Sequence, residues 1–392
     1  MVKRDMENKL LGYAKAFRVI FINGPRQSGK TTLVRKVFPK KPYVLLEDID
    51  TRDLARSDPR KFLARYPNGA IFDEIQECPD LLSYMLGIVD EKKLNGMFIL
   101  TGSQNILLLE KVKQSLAGRM GVVDVLPFSL HELAQYPGSI SLDDLLYKGS
   151  FPRIWNENID PTDEMKGYVK TYLERDVRGV LDIKNMSRFR KFFMLCATRV
   201  GQLMNHSSIC NDLGVSSVTV QKWFSVLEAS NLAYVLPPFY ENLNKRVLKT
   251  PKLYFIDCGL VSYLLKIASK SHLQTHPLYG EIFENFVVGE IRKLNFSRSK
   301  LEDNLFFFRD KTGNEVDMIH LDGNKINAVE IKSGMTFSPY WLKGLLYIKR
   351  LAPEKIKSLS LIYAGKESFE TGECKVWGYR DIEKFYDSIT KG

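Results

Sequence analysis

The run Gly24-Pro25-Arg26-Gln27-Ser28-Gly29-Lys30-Thr31-Thr32 constrains this chain more than any other stretch. It fits the pattern G-x-x-x-x-G-K-[ST] and lies between an apolar run and a helix-forming run. Val19-Ile20-Phe21-Ile22 before it reads as a short buried strand, and Thr32 to Phe38 after it as a helix with apolar residues on one face. Gly24 and Gly29 permit backbone angles that turn successive N–H groups inward, where a helix N-terminus adds partial positive charge. The expected result is an α/β domain whose loop cradles the phosphates of a nucleoside triphosphate. Lys30 would reach the β- and γ-phosphates, and the Thr31 hydroxyl would bind Mg²⁺.

Such a site needs a metal ligand and a group that aligns water. Gly69-Ala70-Ile71-Phe72-Asp73-Glu74 offers both: a short apolar strand ending in two carboxylates, with Asp73 placed for Mg²⁺ and Glu74 for the attacking water. A third strand, Met97 to Gly102, ends in Ser103-Gln104-Asn105, and Gln104 is suited to sense a γ-phosphate. Arg119, in Ser115-Leu116-Ala117-Gly118-Arg119, is a candidate arginine finger, because a planar and always-charged fork can spread over equatorial phosphate oxygens. Acting on a neighbour's nucleotide, it would imply a homo-oligomer; acting in cis, it would not.

The segments GPRQSGKTTL, IFDEIQECPDLL, FILTGSQN and SLAGR followed by LPFSLHEL occur in an order that resembles the AAA+-type P-loop ATPases of bacteria and archaea. In the subgroup it resembles, the ATPase domain is joined to a C-terminal winged-helix and restriction-endonuclease-like region. The resemblance continues through Leu173-Glu174-Arg175-Asp176 and Lys252 to Leu260 and covers nearly the whole chain. It implies ATP and Mg²⁺ as cofactors, with Lys30, Thr31, Asp73 and Glu74 at matching positions and Gln104 and Arg119 carried over with them.

A formal net charge of +11 points to a polyanionic partner such as DNA. The five cysteines are widely spaced without a C-x-x-C pair, which indicates neither a disulfide framework nor a zinc site. His272 and His276 stand at helical spacing, but Pro277 follows and they read as ordinary polar residues. The charged N-terminus and the lack of a long apolar run argue against a signal peptide or membrane helix, so a cytoplasmic setting is expected.

Residues 136–186 carry apolar residues near helical spacing and read as a helical lid or connector. Arg175 could reach a nucleotide from it. Residues 187–276 read as three helices and two strands, the outline of a winged helix-turn-helix. Phe189, Phe192, Phe193, Leu195 and Cys196 share a face of the first helix, and Ser207 to Asp212 form the second. Ser216 caps the third, on which Val220, Phe224 and Leu227 face the core while Ser217, Thr219, Gln221 and Lys222 point outward. The strands are expected over Leu232 to Leu236 and roughly 246–250, with Lys245 and Arg246 on the wing. On DNA the outward residues would face the groove and the wing would meet phosphates.

Residues 277–392 begin with an acidic amphipathic helix over Tyr279 to Ile291, followed by strands over Leu305 to Arg309, Glu315 to His320 and Ala328 to Lys332. Alternation puts Glu330 and Lys332 on one face, and Asp317 on the neighbouring strand completes a D…E-x-K constellation. This resembles the PD-(D/E)xK restriction-endonuclease-like fold. Asp317 and Glu330, with Glu284 from the helix, would bind Mg²⁺, and Lys332 would position water.

The whole is therefore expected to run as a P-loop ATPase core at 1–135, a connector at 136–186, a winged helix at 187–276 and a nuclease-like α/β domain at 277–392. Two uses fit this layout. One is ATP-dependent action on DNA; the other is a nucleotide switch for protein partners with a non-catalytic C-terminal domain. A helicase motor is disfavoured by the lack of helicase motifs after residue 105.

Overall fold

The computed structural model describes residues 2–102, 116, 118–173, 177, 186–239, 249–298 and 304–391. After helix α1 (Glu7–Ala16), strand β1 (Val19–Asn23) is buried at all five positions. Continuous burial suits the centre of a parallel sheet covered on both faces, where apolar residues run on instead of alternating. Helix α2 (Lys30–Val37) follows, then β2 (Tyr43–Leu45), α3 (Ile49–Ser57), α4 (Pro59–Ala64) and β3 (Ile71–Asp73). Helix α5 (Leu81–Lys92), β4 (Phe98–Thr101) and β5 (Met120–Asp124) complete a five-stranded sheet of order β2-β3-β4-β1-β5. All its pairings are parallel. Because β4 lies between β1 and β3, the phosphate-type loop after β1 and the acids after β3 flank the end of β4 at one edge of the sheet.

The short helix α6 (Leu130–Leu133) is held by a capping box between Ser129 and Glu132. Then come α7 (Leu142–Lys148), α8 (Pro152–Glu157) and α9 (Pro161–Tyr172), followed by α10 (Met186–Ala197), α11 (His206–Leu213) and α12 (Ser217–Ala229). The Ser216 side chain accepts the Thr219 N–H, as a cap at this position should. Strands β6 (Ala233–Leu236) and β7 (Lys252–Phe255) pair antiparallel. The strand that pairs with β6 begins at Lys252; of the expected 246–250, residues 246–248 lie outside the described residues, as do 240–245, and 249–250 are not strand.

Helices α13 (Cys258–Leu264), α14 (Lys270–Thr275) and the long α15 (Tyr279–Arg298) lead into a six-stranded mixed sheet. Strands β8 (Leu305–Arg309), β9 (Glu315–Asp322) and β10 (Lys325–Lys332) form an antiparallel meander. Helix α16 (Lys343–Leu351) crosses to β11 (Ile356–Tyr363), which runs parallel to β10. Strands β12 (Phe369–Thr371) and β13 (Cys374–Gly378) and helix α17 (Ile382–Thr390) close the chain. Met318, Val329, Ile331 and Ile362 pack in one core with α15 and α17, while Ile319, Ala328, Leu359 and Leu361 pack with Leu345 and Ile348 of α16.

The cores do not follow the four sequence segments. One apolar cluster runs from Phe128 through α7 to α15 and on to Ile389, so the connector and the three-helix region share an interior with the C-terminal helices. Residues 237–239 also join the C-terminal sheet: Phe239 N–H donates to Phe307 O at 2.8 Å and Phe307 N–H to Pro237 O at 3.0 Å.

Candidate functional sites

The loop after β1 takes the shape its glycines allow. Gly24 has φ of 146° and a Cβ there would lie 2.1 Å from Val125 O, so no larger residue fits. Gln27 at φ 60° and Gly29 at φ 88° are left-handed, the alternation that turns backbone N–H groups into a concavity for anions. The Lys30 ammonium is buried in this loop and donates to Gly24 O at 2.9 Å and Pro25 O at 2.8 Å. Those carbonyls are neutral partners that the ammonium can exchange for phosphate oxygens.

Asp73 is buried at the end of β3 and takes hydrogen bonds from three hydroxyls. Thr31 Oγ1 donates at 2.8 Å and Tyr43 Oη at 2.6 Å, and Thr101 Oγ1 at the end of β4 donates to the other carboxylate oxygen. Burial and the Asp73 carboxylate push the Tyr43 phenol well above its ordinary range, so it stays a donor. Glu74 follows in left-handed backbone, φ 57° and ψ 51°. That conformation is costly for a side-chain-bearing residue and recurs where a side chain must be aimed. Gln76 Nε2 donates to its carboxylate. Residues 24–32, Asp73 and Glu74 thus meet at one edge of the sheet, and the neutral partners of Lys30 and Asp73 make the site fit a nucleotide with Mg²⁺.

Tyr43 and Thr101 were not singled out in the sequence. A tyrosine opening the three-residue strand Tyr43-Val44-Leu45 gives little pattern to read, and Thr101 is the last residue of its strand, next to a glycine. Gln104 lies outside the described residues. Arg119 is at the far edge of the sheet: its carbonyl accepts the Arg18 and Val19 N–H groups, and its Nε pairs with Asp90 at 2.7 Å. The length of β1, roughly 13 Å at about 3.3 Å per residue, separates it from the loop. This corrects the in-cis form of the expectation for Arg119; action on a neighbouring chain remains a proposal.

A second group of charges lies in the C-terminal sheet. Beyond the last registered pair, Met318 with Val329, strands β9 and β10 part, and the Asp317 carboxylate takes the Ile331 N–H at 2.8 Å. Lys332 Nζ lies 2.6 Å from Glu330 and 3.6 Å from Asp317. The sequence constellation Asp317, Glu330 and Lys332 is therefore brought together, and Glu284 of α15 joins it. Two further members were not anticipated. Lys252, at the start of β7 and 3% exposed, puts its ammonium 2.9 Å from Glu284, 2.5 Å from Glu315 and 3.7 Å from Asp317. Tyr254 Oη donates to Glu284 at 2.5 Å. The available signal was a lysine opening the apolar strand Lys-Leu-Tyr-Phe, where a buried cation needs carboxylates to meet it.

Burial, reinforced by Asp317, pushes Glu330 up to about 8, and burial pushes Glu284 up to about 7. Lys332 is raised despite burial because Asp317 and Glu330 face it, and Lys252 well raised because Tyr254, Glu284, Asp317 and Glu315 do. Glu330 Oε2 is buried without a hydrogen-bond partner among the described residues. Also among the described residues, no three His, Cys, Asp or Glu side chains are disposed to hold a metal ion. Where the sequence placed a metal on Glu284, Asp317 and Glu330, the Lys332 ammonium it also placed there is joined by that of Lys252.

Comparison with known proteins accords with both halves. Residues 16–134 match the family model of the AAA domain, and residues 279–382 match that of DUF4143, a domain of unknown function. The chain carries an AAA-type P-loop domain with a DUF4143 region on its C-terminal side. Residues 139–271, the connector and three-helix region together, match a further domain of unknown function, DUF8612. An uncharacterized protein of Mycobacterium tuberculosis is 27% identical over 379 residues, 95% of this chain and 82% of that protein. One of Haemophilus influenzae is 24% identical over 84% of this chain and 86% of its own length. A solved Walker-type ATPase of Pyrococcus abyssi is similar over 67% of this chain and 96% of that chain, at 17% identity and a TM-score of 0.45.

Buried polar groups tie the AAA domain to the DUF4143 region. Arg4, 8% exposed, donates to Ser28 O in the phosphate loop at 2.9 Å and to Leu126 O at 2.7 Å, and pairs with Glu132 at 2.9 Å. From α15, Glu290 accepts the Leu130 N–H at 2.6 Å, and Lys293 donates to Phe128 O at 2.8 Å and Ser150 Oγ at 3.1 Å. The helix that carries Glu284 thus grips the segment leaving the ATPase sheet. Among the described residues no helix is long and apolar enough to cross a membrane.

Proposed function

We propose that the AAA domain binds and hydrolyses ATP with Mg²⁺, and that the nucleotide cycle governs engagement of DNA by the helix-turn-helix region. The bond from Thr31 to Asp73 is the observation that carries the first part, since it joins the loop hydroxyl and the strand-end carboxylate that would together hold Mg²⁺. Residues 24–32 would surround the phosphates, with Lys30 turning to them from Gly24 and Pro25. Mg²⁺ supplies charge neutralisation on the phosphate oxygens when bound with ATP. Glu74 would orient the attacking water and accept its proton, held in aim by its left-handed backbone.

The DNA part rests on α12 and on charge. Ser217, Gln221 and Lys222 are exposed there and Thr219 half-buried, while Val220, Trp223, Phe224 and Leu227 fix the opposite face in the core. The net charge of +11 suits a phosphate backbone. The wing residues Lys245 and Arg246, and Arg175 of the connector, lie outside the described residues. The second reading, a nucleotide switch acting on protein partners through a non-catalytic C-terminal domain, is favoured by the lysines placed among the C-terminal carboxylates.

ATP turnover with and without duplex DNA tests the proposal. Expected are Mg²⁺-dependent turnover abolished by Lys30→Ala, stimulation by DNA, and DNA binding that weakens steeply with salt. Turnover in the wild type no faster than in Lys30→Ala would contradict hydrolysis, and turnover indifferent to DNA would favour the switch.

A further inference from the structure

The order α15-β8-β9-β10-α16-β11, with an acid where β9 parts from β10 and an E-x-K on β10, keeps the arrangement whose sequence resembles a restriction-endonuclease-like fold, in which such acids would hold a divalent cation. The residues here do not fit that ion. We infer that Lys252 stands in its place, and that the cluster is a metal-independent ionic lock fastening the β6–β7 strand pair to the DUF4143 sheet.

Three observations carry this. The first is position: a single ammonium from outside the sheet lies within 4 Å of Glu284 on α15 and of Glu315 and Asp317 on β9, so it bridges two of the three carboxylates, Glu284 and Asp317, to which the sequence assigned a cation, while Glu330, the third, is met by Lys332. The second is seclusion. Lys252 is 3% exposed, its ammonium lies 5.6 Å from the centre of the Phe307 ring, and Tyr254 from the same strand donates to Glu284. A buried ammonium with these contacts cannot swing into solvent unless β7 moves with it. The third is continuity, because the chain just after β6 is already stitched to β8 by the Phe239 and Phe307 backbone bonds. The lock and the stitching hold the same two bodies together from either side of Phe307.

The placing of the ammonium groups agrees with this assignment. Lys252 and Lys332 both stand among Glu284, Glu315, Asp317 and Glu330, so a divalent cation added there would meet both at close range. Like charges in a secluded site repel strongly, because little water screens them. For a metal to enter, Lys252 must leave, and with it the strand pair. In this arrangement the Lys252 ammonium stands where a metal would have to sit to activate a water for phosphodiester cleavage.

Manganese binding to the full chain without nucleotide, followed by electron paramagnetic resonance, tests the inference independently of the ATP reading. The wild type should bind no Mn²⁺ that Asp317→Asn removes. Any Mn²⁺ lost in Asp73→Asn and kept in Asp317→Asn belongs to the P loop and leaves the lock standing. Mn²⁺ bound by the wild type, kept in Asp73→Asn and lost in Asp317→Asn, would overturn it. Lys252→Met should gain Mn²⁺ affinity by about tenfold or more over the wild type, and that gain should vanish in Lys252→Met with Asp317→Asn. A folded Lys252→Met that binds Mn²⁺ no better than the wild type would also overturn it. Should this variant not fold, the wild-type and Asp317→Asn measurements decide alone.

Discussion

At the P loop, the Asp73 carboxylate is held by the hydroxyls of Thr31, Tyr43 and Thr101, and the Lys30 ammonium rests on the carbonyls of Gly24 and Pro25. In the DUF4143 region, Glu284, Glu315, Asp317 and Glu330 are met by the ammonium groups of Lys252 and Lys332. Both places gather acids beside a lysine, yet the hydrogen bonds described at the first run to hydroxyls and carbonyls while those at the second set charge against charge. A hydrogen bond between a charged group and a neutral partner is worth about 1.5–3 kcal/mol net and can be exchanged for a bond to an oppositely charged partner. Breaking a buried ion pair by removing one member costs about 3–5 kcal/mol. The same residue types therefore make a receptive site in one half of the chain and a closed one in the other.

The sharpest way to separate them is to remove one group from each. Glu74→Gln should keep ATP binding and lower turnover by about 10² to 10⁴-fold, the range for a lost general base. Single-turnover kinetics beside nucleotide binding will read this, and wild-type turnover would break the assignment of Glu74. Lys252→Met should instead lose about 3–5 kcal/mol of stability, because carboxylates are left buried without their cation. Denaturant unfolding measures it; a loss below about 1 kcal/mol would show that the pair is not under load.

A smaller contrast comes from pH. Glu284 and Glu330 have folded-state pKa values of about 7 and about 8, above the ordinary 4.5, with Asp317, Glu315, Lys252, Lys332 and Tyr254 as their charged or titratable neighbours. The folded chain therefore holds protons that the unfolded chain has released. The stability these groups contribute is complete below about pH 4.5 and is lost as pH rises through 7 and 8. Thermal unfolding should accordingly move to lower temperature from pH 6 to pH 9, less so in Glu330→Gln, and an equal shift in both proteins would contradict the role of Glu330. The smallest effect is expected at the P loop. Tyr43→Phe removes one of three hydroxyls that fix Asp73 and should weaken Mg²⁺-dependent ATP affinity by less than about tenfold.

Sequence alone made the P loop, the Asp73-Glu74 strand end and the β8–β10 meander legible, because each is a local pattern: a glycine motif before a helix, an apolar run ending in acids, and residues alternating along strands. What it hid is non-local. Tyr43 and Thr101 act on Asp73 from separate strands. Arg119 follows a glycine much as a finger would, but the parallel pairing of β5 with β1 puts it at the wrong end of its own sheet. Lys252 is 65 residues before Asp317 in the chain, and only the docking of the strand pair on the DUF4143 sheet brings them together. The strand expected over roughly 246–250 falls largely outside the described residues, and the strand paired with β6 is Lys252–Phe255, opened by a charged residue that gave no apolar signal of its own.

Calorimetric titration of ATP with Mg²⁺ into the wild type, Lys30→Ala and Asp317→Asn compares the two places most directly. One nucleotide per chain should bind the wild type and Asp317→Asn alike, and none should bind Lys30→Ala. Binding that survives Lys30→Ala, or that fails in the wild type, would contradict the account.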